Sequence, residues 1–306
     1  MRFFKKTSID FMSRRRVWYA VSSLVILAGF ISLAVKGFDL GIDFLGGTEL
    51  IVEFSQPAPI GDVRTALERA GVTRAEIKAY GSDRNILIRA ATVATVEGVA
   101  VGDRLREGLK AGFQDNPFHV LKEDKIGPKI GAELRRDAIY AIIASLVAIS
   151  LYVAVRFKFA YGVGAIVSLL HDVLVTLAFV SICDGFLNLE IDQNMIAAFL
   201  TLVGTSINDT VVIFDRIREN QRIFKTMPLV DLMNKSINEC LSRTFITNGS
   251  IFMVLLVILV FGGEVLRGFA FALTIGAVTG TYSTVYIASA IVLEMAQRTK
   301  AKTVMA

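Results

Sequence analysis

The stretch VWYAVSSLVILAGFISLAV, from Val17 to Val35, contains no charged residue and directly follows three arginines. A helix needs about 20 apolar residues to cross the hydrocarbon layer, whereas the apolar part of a signal peptide has about 7 to 15. The stretch therefore predicts an uncleaved membrane-spanning helix. The composition agrees, because 54% of the 306 residues are hydrophobic and the mean hydropathy is +0.57. Such values exclude an ordinary soluble protein.

Further apolar runs follow the first one and predict five more spans. Each is long enough to cross the membrane at about 1.5 Å per residue. The runs are 138–155, 161–183, 193–214, 244–261 and 268–293. Basic residues cluster at 14–16, in RFKF after the second run and in the loop 215–243, while DGFLNLEID has none. By the positive-inside rule these clusters indicate that both termini lie in the cytoplasm, and they do not indicate nucleic-acid binding.

The segment between the first two spans, 36–137, is mixed in character, with 15 lysines and arginines against 16 acidic residues. Such a segment cannot lie in lipid, so it predicts an external domain that folds in water. Its periodicity predicts the strand TELIVEFS, a helix at 62–70, the strands AEIKAY and NILIRA, a helix at 96–113 and the strand FHVLKED. The order β-α-β-β-α-β is typical of an α+β ferredoxin-like domain.

The predicted fold is therefore a membrane α-helical bundle of six transmembrane helices with an external α+β ferredoxin-like domain. The predicted boundaries are 1–16 for the cytoplasmic N-terminus, 17–35 for the first helix, 36–137 for the external domain, 138–295 for the five-helix region and 296–306 for the cytoplasmic tail. Cys183 and Cys240 fall at opposite ends of predicted spans, so no disulfide is expected between them.

Three ionisable side chains interrupt these apolar runs: His171, Asp172 and Asp209. A charge at the centre of a spanning helix costs about 2.5 to 3.5 kcal/mol, so such residues usually face a bundle interior and are functional. Asp209 lies near the expected cytoplasmic end, but its side chain is too short to reach water easily, which favours a functional interpretation. Adjacent residues cannot share one helical face, so His171 or Asp172 needs a partner on another helix. The contact with that partner could equally be a structural hydrogen bond between helices or part of a transport mechanism.

Arg243 begins a polar track into the fifth span, in the stretch SINECLSRTFITNGS. It is either an interfacial positive residue or the partner of Asp209, because a guanidinium is a natural partner for a buried carboxylate. We predict the pair, with Asp209 binding and releasing a proton as the arginine moves. Four neighbouring polar residues are expected to supply hydrogen bonds or hold water along the proton path: Thr205, Asn208, Thr247 and Asn248. Hydroxyl residues and glycines of the sixth span are expected to serve helix packing.

Glycines and a proline flank both links between the external domain and the membrane. They predict a hinge at Gly46, Gly47, Gly127 and Pro128, although ordinary turn glycines are the alternative. The stretches GxxxxGK[ST], HExxH and GxSxG do not occur in the sequence. We therefore expect no enzyme activity, no cofactor and no bound metal.

Several stretches, taken together and in order from residue 38 to 295, resemble the SecF family of bacterial protein-export subunits. They are FDLGIDFLGGTEL, GPKIGAEL, GTSINDTVVIFDRIREN, SINECLSRTFITNGS, FGGEVLRGFAFAL and GTYSTVYIASAIVLEM. The family's intramembrane acid falls on Asp209 and its basic partner on Arg243. Thr205 stands where the family often has an aromatic residue, and Ala290 where proline is common, which affects packing and not the charged pair.

The resemblance implies one half of a SecDF complex, related to resistance-nodulation-division transporters, in the bacterial cytoplasmic (inner) membrane. The implied partners are SecD as a separate chain, the SecYEG channel, the SecA motor, the exported unfolded polypeptide and membrane lipid. Proton flow would help to pull the exported chain outward. Two alternatives stay open: a proton-driven exporter of small molecules or lipids from the same superfamily, and an assembly subunit that conducts nothing.

Overall fold

The computed structural model describes residues 7–72, 75–90, 101–187 and 189–305. These residues form two compact units. The helical unit comprises the chain up to residue 38, residues 141–189 and the chain from 194 onward, and the outer unit comprises 39–140 and 190–193.

Six long helices in the described residues are apolar enough to cross a membrane, as predicted. The helices are α1 (Arg15–Lys36, after a 3-10 turn Met12–Arg14), α5 (Pro128–Arg156), α6 (Phe159–Leu187), α7 (Gln193–Ile223), α8 (Leu229–Phe261) and a last span from Val265 to Arg298. The last span joins α9 (Gly263–Ser283), a π-helical turn (Thr284–Ala288) and α10 (Ser289–Met305). Helices α5 and α8 begin 10 and 15 residues before the predicted runs, because charged helical turns continue beyond the apolar parts.

Helices α6, α7 and the last span form the centre of the helical unit, while α1, α5 and α8 expose most of their surface. Close contact between α1 and α6 depends on Gly29, since a Cβ there would lie 2.1 Å from the Cβ of Ala178. Small residues permit such close approach of membrane helices. The aromatic ring of Phe214 packs edge-on against Tyr161 at 5.0 Å in the core.

The segment before α1 is held by two asparagines one helical turn apart on α8. Asn238 accepts from the backbone N–H of Ile9 at 3.0 Å and donates to the Ile9 carbonyl at 2.8 Å. Asn234 Oδ1 accepts from the N–H groups of Phe11 and Met12, each at 3.0 Å. The asparagines thus satisfy backbone groups that no helix satisfies.

The outer unit contains a four-stranded antiparallel sheet in the order β2-β3-β1-β4. Its elements are α2 (Ile42–Leu45), β1 (Gly47–Phe54), α3 (Ile60–Arg69), β2 (Ala75–Ala79), β3 (Asn85–Ala90), α4 (Val101–Gly112) and β4 (Phe118–Ile126). Strands and helices thus follow one another as β-α-β-β-α-β after the short α2. Residues 96–100 of the predicted second helix lie outside the described part of the chain.

The two faces of this sheet differ in chemistry, as the alternation of the strands requires. Leu50, Val52 and Phe54 of β1 join a hydrophobic core that includes Leu67 of α3 and Leu105 of α4. The opposite face is charged, and Arg89 of β3 stands between Glu76 and Glu49 in the cross-strand register.

Residues 190–193, which join α6 to α7, belong to the outer unit. Ile191 donates its N–H to the Asp39 carbonyl at 2.8 Å and accepts from the N–H of Gly41 at 2.9 Å. Gln193 donates its N–H to the Asp43 carboxylate at 2.9 Å. The segment therefore adds backbone pairing to this unit, although its sequence predicts only a loop.

Of the predicted hinge residues, Gly46 and Pro128 pack closely against each other inside the outer unit, whereas a Cβ at Gly127 would meet nothing within 4 Å. Gly46 has a φ of +70°, and a Cβ there would lie 2.8 Å from the Cα of Pro128. A Cβ at Gly131 would lie 2.9 Å from the Gly46 nitrogen. Both backbones therefore require glycine for a steric reason. Their role as a hinge, together with Gly47 and Gly127, stays a prediction.

Candidate functional site

Asp209 lies on α7, 16 residues after the start of the helix, and is partly buried. Its carboxylate accepts a hydrogen bond of 2.5 Å from Asn248 Nδ2 on α8. Asn248 also donates to Thr281 Oγ1 on α9 at 2.7 Å. The predicted proton-path residue Asn248 thus joins Asp209 to two other helices.

Arg243, the predicted partner of Asp209, is exposed on α8. Among the described residues, the ion pairs within 4.0 Å do not include one between Asp209 and Arg243. The two residues lie on neighbouring helices of the chain, but a direct ion pair is not formed in this conformation. Asn248 occupies the place at the carboxylate that the sequence assigned to the guanidinium.

The other predicted proton-path residues lie at the surface of the helical unit. Thr205 and Asn208 on α7 and Thr247 on α8 are exposed, as Arg243 is. Thr205 donates to backbone carbonyls of its own helix at 3.1 Å. We call these four residues together with Asp209 the polar stripe.

His171 and Asp172 occupy a fully enclosed site in α6. Although the two residues start from different positions around the helix, His171 Nδ1 lies 3.0 Å from Asp172 Oδ1. The side chains bend towards each other across the helix surface. The expectation of a partner on another helix is confirmed for both residues: Asp172 accepts from Ser206 of α7, and His171 contacts Ser22 Oγ of α1 at 2.8 Å.

Several hydroxyl residues of this enclosed site escaped the sequence reasoning. Ser22, Ser168, Ser206 and Thr210 are buried, and each takes part in a hydrogen bond with a side chain on another helix. All four are polar residues within apolar runs, which is a clue to a buried hydrogen bond. However, serine and threonine are common in membrane helices, where they also donate to the backbone carbonyl one turn earlier. Sequence alone therefore does not distinguish hydroxyls that bond to another helix from hydroxyls that bond to their own helix.

A second charged cluster covers the open face of the outer sheet. Arg89 bonds to Glu190, to Glu49 Oε2 at 3.0 Å and to Glu76 Oε2 at 3.2 Å, while Lys78 bonds to Asp39 at 2.8 Å. Burial raises the pKa of Glu190, although Arg89 beside it acts in the opposite direction. Burial lowers the pKa of Arg89, but the carboxylates around it outweigh this effect and raise it. The two pKa values rise for different reasons: burial raises that of Glu190, and the surrounding carboxylates raise that of Arg89.

Comparison with protein families gives two matches. Residues 105–298 match the family described as "Protein export membrane protein SecD/SecF, C-terminal", and residues 31–58 match the "SecD/SecF GG Motif". The second match includes Gly46 and Gly47. The first covers more than half of the chain.

Curated relatives extend the similarity over nearly the full length. The protein translocase subunit SecF of Rhodothermus marinus is 43% identical over 99% of this chain and 98% of its own length. The SecF subunit of Pseudomonas aeruginosa is 36% identical over 94% of this chain and 91% of its own length.

Solved structures of SecDF share the fold. SecDF from Thermus thermophilus, described as a translocon-associated membrane protein, matches with a TM-score of 0.84 and 36% identity over 95% of this chain. SecDF in a super-membrane-facing form matches with a TM-score of 0.72 and 35% identity over 99% of this chain. The chain spans 39% and 41% of those longer chains. Since one family match covers more than half of the chain and both curated relatives of matching length are SecF subunits, this multi-pass membrane protein belongs to the SecF family of protein translocase subunits.

Proposed function

We propose that this SecF-family chain works with SecD to assist export by SecYEG and SecA, and that a proton moving through Asp209 supplies the energy. The exported substrate is an unfolded polypeptide. The complex lies in the bacterial cytoplasmic (inner) membrane with both termini of this chain in the cytoplasm, as the distribution of basic loops supports. This role requires neither a catalytic site nor a cofactor.

The observation that carries the proposal is the polar stripe on the exposed faces of α7 and α8. An arginine or an aspartate facing lipid costs up to about 2.5 to 3.5 kcal/mol, the value for the centre of a span. Arg243 is exposed and Asp209 is only partly buried. A partner that covers the stripe with polar groups removes this cost, and SecD is the partner that the family implies.

A proton at Asp209 changes the interactions that the stripe can make. The carboxylate now accepts from Asn248 and has no cation within 4.0 Å among the described residues. A protonated Asp209 is neutral and needs no cation, whereas the charged form attracts Arg243. Proton binding and the position of Arg243 are therefore linked, which allows a proton gradient to drive a conformational cycle.

The outer unit supports the same assignment. Its β-α-β-β-α-β order, its strand order β2-β3-β1-β4 and the packing of α3 and α4 on one face fit a ferredoxin-like domain. We propose that this domain contacts the exported chain outside the membrane.

The test is Asp209→Asn, which keeps the shape of the side chain but cannot bind a proton. In proteoliposomes with SecD, SecYEG and SecA, this variant should lose proton conduction and the acceleration of export by a proton gradient, and retain SecD binding. The matched control is Asp215→Asn, because Asp215 also lies on α7 but its side chain is 40% exposed and is already paired with Arg156 at 2.8 Å. The control should retain both activities.

The outcomes separate the alternatives. Wild-type conduction and export in Asp209→Asn contradict the proton role and favour an assembly subunit that conducts nothing. Gradient-driven activity without copurification of SecYEG favours an exporter of small molecules or lipids.

The contact proposed between the outer unit and the exported chain can be tested in the same assay by cross-linking. A polypeptide arrested during export should cross-link to photoreactive groups placed in the outer unit. Absence of such cross-links, with export intact, contradicts the contact proposed for that domain.

A further inference from the structure

The Asp172 carboxylate is fully enclosed and accepts three hydrogen bonds. His171 Nδ1 lies 3.0 Å from Oδ1, while Ser283 Oγ at 2.9 Å and Ser206 Oγ donate to Oδ2. The donors come from α6, α7 and α9, so the side chain joins three helices. Three donors around one carboxylate stabilise its charged form by hydrogen bonding.

The imidazole of His171 has a fixed side and an adjustable side. Nδ1 faces the carboxylate, which accepts, so Nδ1 carries a hydrogen. Nε2 lies 2.8 Å from Ser22 Oγ on α1 and 3.2 Å from the Tyr282 hydroxyl on α9. Those two hydroxyls lie 3.3 Å apart and can each donate or accept. Both protonation states of Nε2 therefore find a partner.

The charges of the pair favour one bound proton. Within the described part of the chain, lysine and arginine nitrogens within 4.0 Å of the Asp172 carboxylate are absent, and Tyr282 is the titratable group from another helix that touches the pair. A charged Asp172 beside a neutral His171 leaves an unpaired negative charge in a low-dielectric interior, which is strongly unfavourable. One further proton, on Nε2, makes the pair neutral overall.

A π-helical turn begins directly after the residues that complete the site. Tyr282 and Ser283 end α9, and the π-helical turn runs from Thr284 to Ala288. Thr284 Oγ1 lies 3.0 Å from Thr210 Oγ1 on α7. Such turns inside helices are frequent at functional sites. Here the turn accompanies three consecutive residues that all bond to other helices.

We propose that His171 and Asp172 form a second proton-binding site, distinct from the polar stripe, in which the exchangeable proton sits on Nε2 of His171. The proton enters and leaves on the side of Ser22, since α1 is a peripheral helix with an otherwise exposed surface. Loss of the proton leaves a negative charge at the junction of α1, α6, α7 and α9, and so changes the packing of these helices. The site is independent of the role proposed for Asp209.

The test uses the full chain, labelled with 15N histidine and reconstituted in a lipid bilayer. The chain has two histidines, and His119, exposed on β4, provides an internal reference that His119→Gln assigns. Nitrogen NMR should show a single proton gained and lost at Nε2 of His171, with Nδ1 protonated throughout. The scan covers about two pH units on either side of about 6.5, the ordinary histidine value.

Two serine variants test the assignment of the proton to Nε2. Ser22→Ala removes a partner of Nε2 and should change the proton affinity about tenfold, or one pH unit in the midpoint. Ser32→Ala is the control, since Ser32 also joins α1 to α6, through Ser181 at 3.0 Å, but does not touch His171. It should leave the midpoint unchanged.

Three results overturn the proposal: a His171 imidazole whose protonation never changes while His119 titrates, a proton exchanged at Nδ1, or a midpoint that Ser22→Ala leaves in place. Asp172→Asn removes the negative charge beside His171 and provides a further test in protein that remains folded. It should weaken proton binding at Nε2, because the amide oxygen can still accept from Nδ1 but carries no charge. Failure of gradient-driven export in Asp209 variants has no bearing on these signals.

Discussion

Truncation of Arg89 to alanine should destabilise the outer sheet strongly. The Arg89 side chain is 6% exposed, and its guanidinium bonds to Glu49 at 3.0 Å, to Glu76 at 3.2 Å and to Glu190. Glu49 and Glu190 are themselves largely buried, at 12% and 18%. Removal of this cation leaves Glu49 with Lys122 at 3.7 Å and Glu190 with Lys78 at 3.6 Å as their remaining cationic partners.

The magnitude follows from this burial. Removing one partner of a buried ion pair costs about 3 to 5 kcal/mol, because the other charge remains buried without compensation. Glu76 is 39% exposed and adds little, since exposed pairs contribute about 0 to 1 kcal/mol. Lys78 and Lys122 still compensate part of this charge, so we expect a loss of at most about 3 to 5 kcal/mol for Arg89→Ala. Arg89→Lys keeps the charge but cannot reach all three carboxylates, so it should lose about 1.5 to 3 kcal/mol.

Hydrogen exchange of the β1 and β3 amides in the full chain measures this loss as a decrease in the free energy of opening. The matched control is Arg136→Ala, because Arg136 also pairs with a carboxylate, that of Asp137 at 3.1 Å, but both side chains are 60% exposed. The control should change the opening free energy by less than about 1 kcal/mol. If Arg89→Ala and Arg136→Ala have equal effects on β3, the charged cluster does not hold this sheet and the reasoning fails.

Three further perturbations have defined outcomes. The pKa of Glu190 is raised, so the folded state binds the carboxyl proton more tightly than the unfolded state does. The resulting contribution to the free energy of unfolding is present below the unfolded pKa and is lost as the pH rises through the folded pKa. Wild-type stability relative to Glu190→Gln should therefore fall as the pH rises above about 4.3, the ordinary glutamate value, in chemical denaturation, and a flat difference would refute this. Asn238→Ala removes two exposed hydrogen bonds to the Ile9 backbone and should cost about 0.5 to 1.5 kcal/mol, since water can replace them, seen as faster amide exchange there; unchanged exchange contradicts the anchoring. Gly46→Ala should destabilise by about 1 to 3 kcal/mol because of its positive φ and its contact with Pro128, whereas Gly61→Ala in α3, with open space around it, should be neutral or stabilising in the same thermal unfolding assay.

The spans could be predicted because lipid imposes one simple requirement. Every spanning segment must be long and apolar, so composition alone gave the six helices. The starts of α5 and α8 were missed because their first turns are charged, and helix formation there depends on capping and packing and not on hydropathy. Asp209 and Asn248 were recognised because polar groups in apolar runs are costly.

The contacts between these groups could not be predicted. Whether Asn248 or Arg243 approaches the Asp209 carboxylate depends on how α7 and α8 rotate against each other, and no spacing within one helix fixes that rotation. The same holds for Asp172, whose partner Ser206 lies 34 positions away in the chain. The role of residues 190–193 escaped prediction because their pairing with Asp39 and Gly41 links segments that are about 150 residues apart.

Helix α7 connects the features that these proposals involve. Ser206 bonds to Asp172 on the enclosed side of the helix, and three residues further on Asp209 bonds to Asn248 at the polar stripe. A rotation of about 300° separates positions three apart, so the two carboxylates act on adjacent faces of the same turn. The helix also begins at Gln193, whose N–H bonds to Asp43 within the outer unit. A proton bound or released at either carboxylate therefore acts on the same turn of α7, which links the enclosed site to the polar stripe within the helical unit.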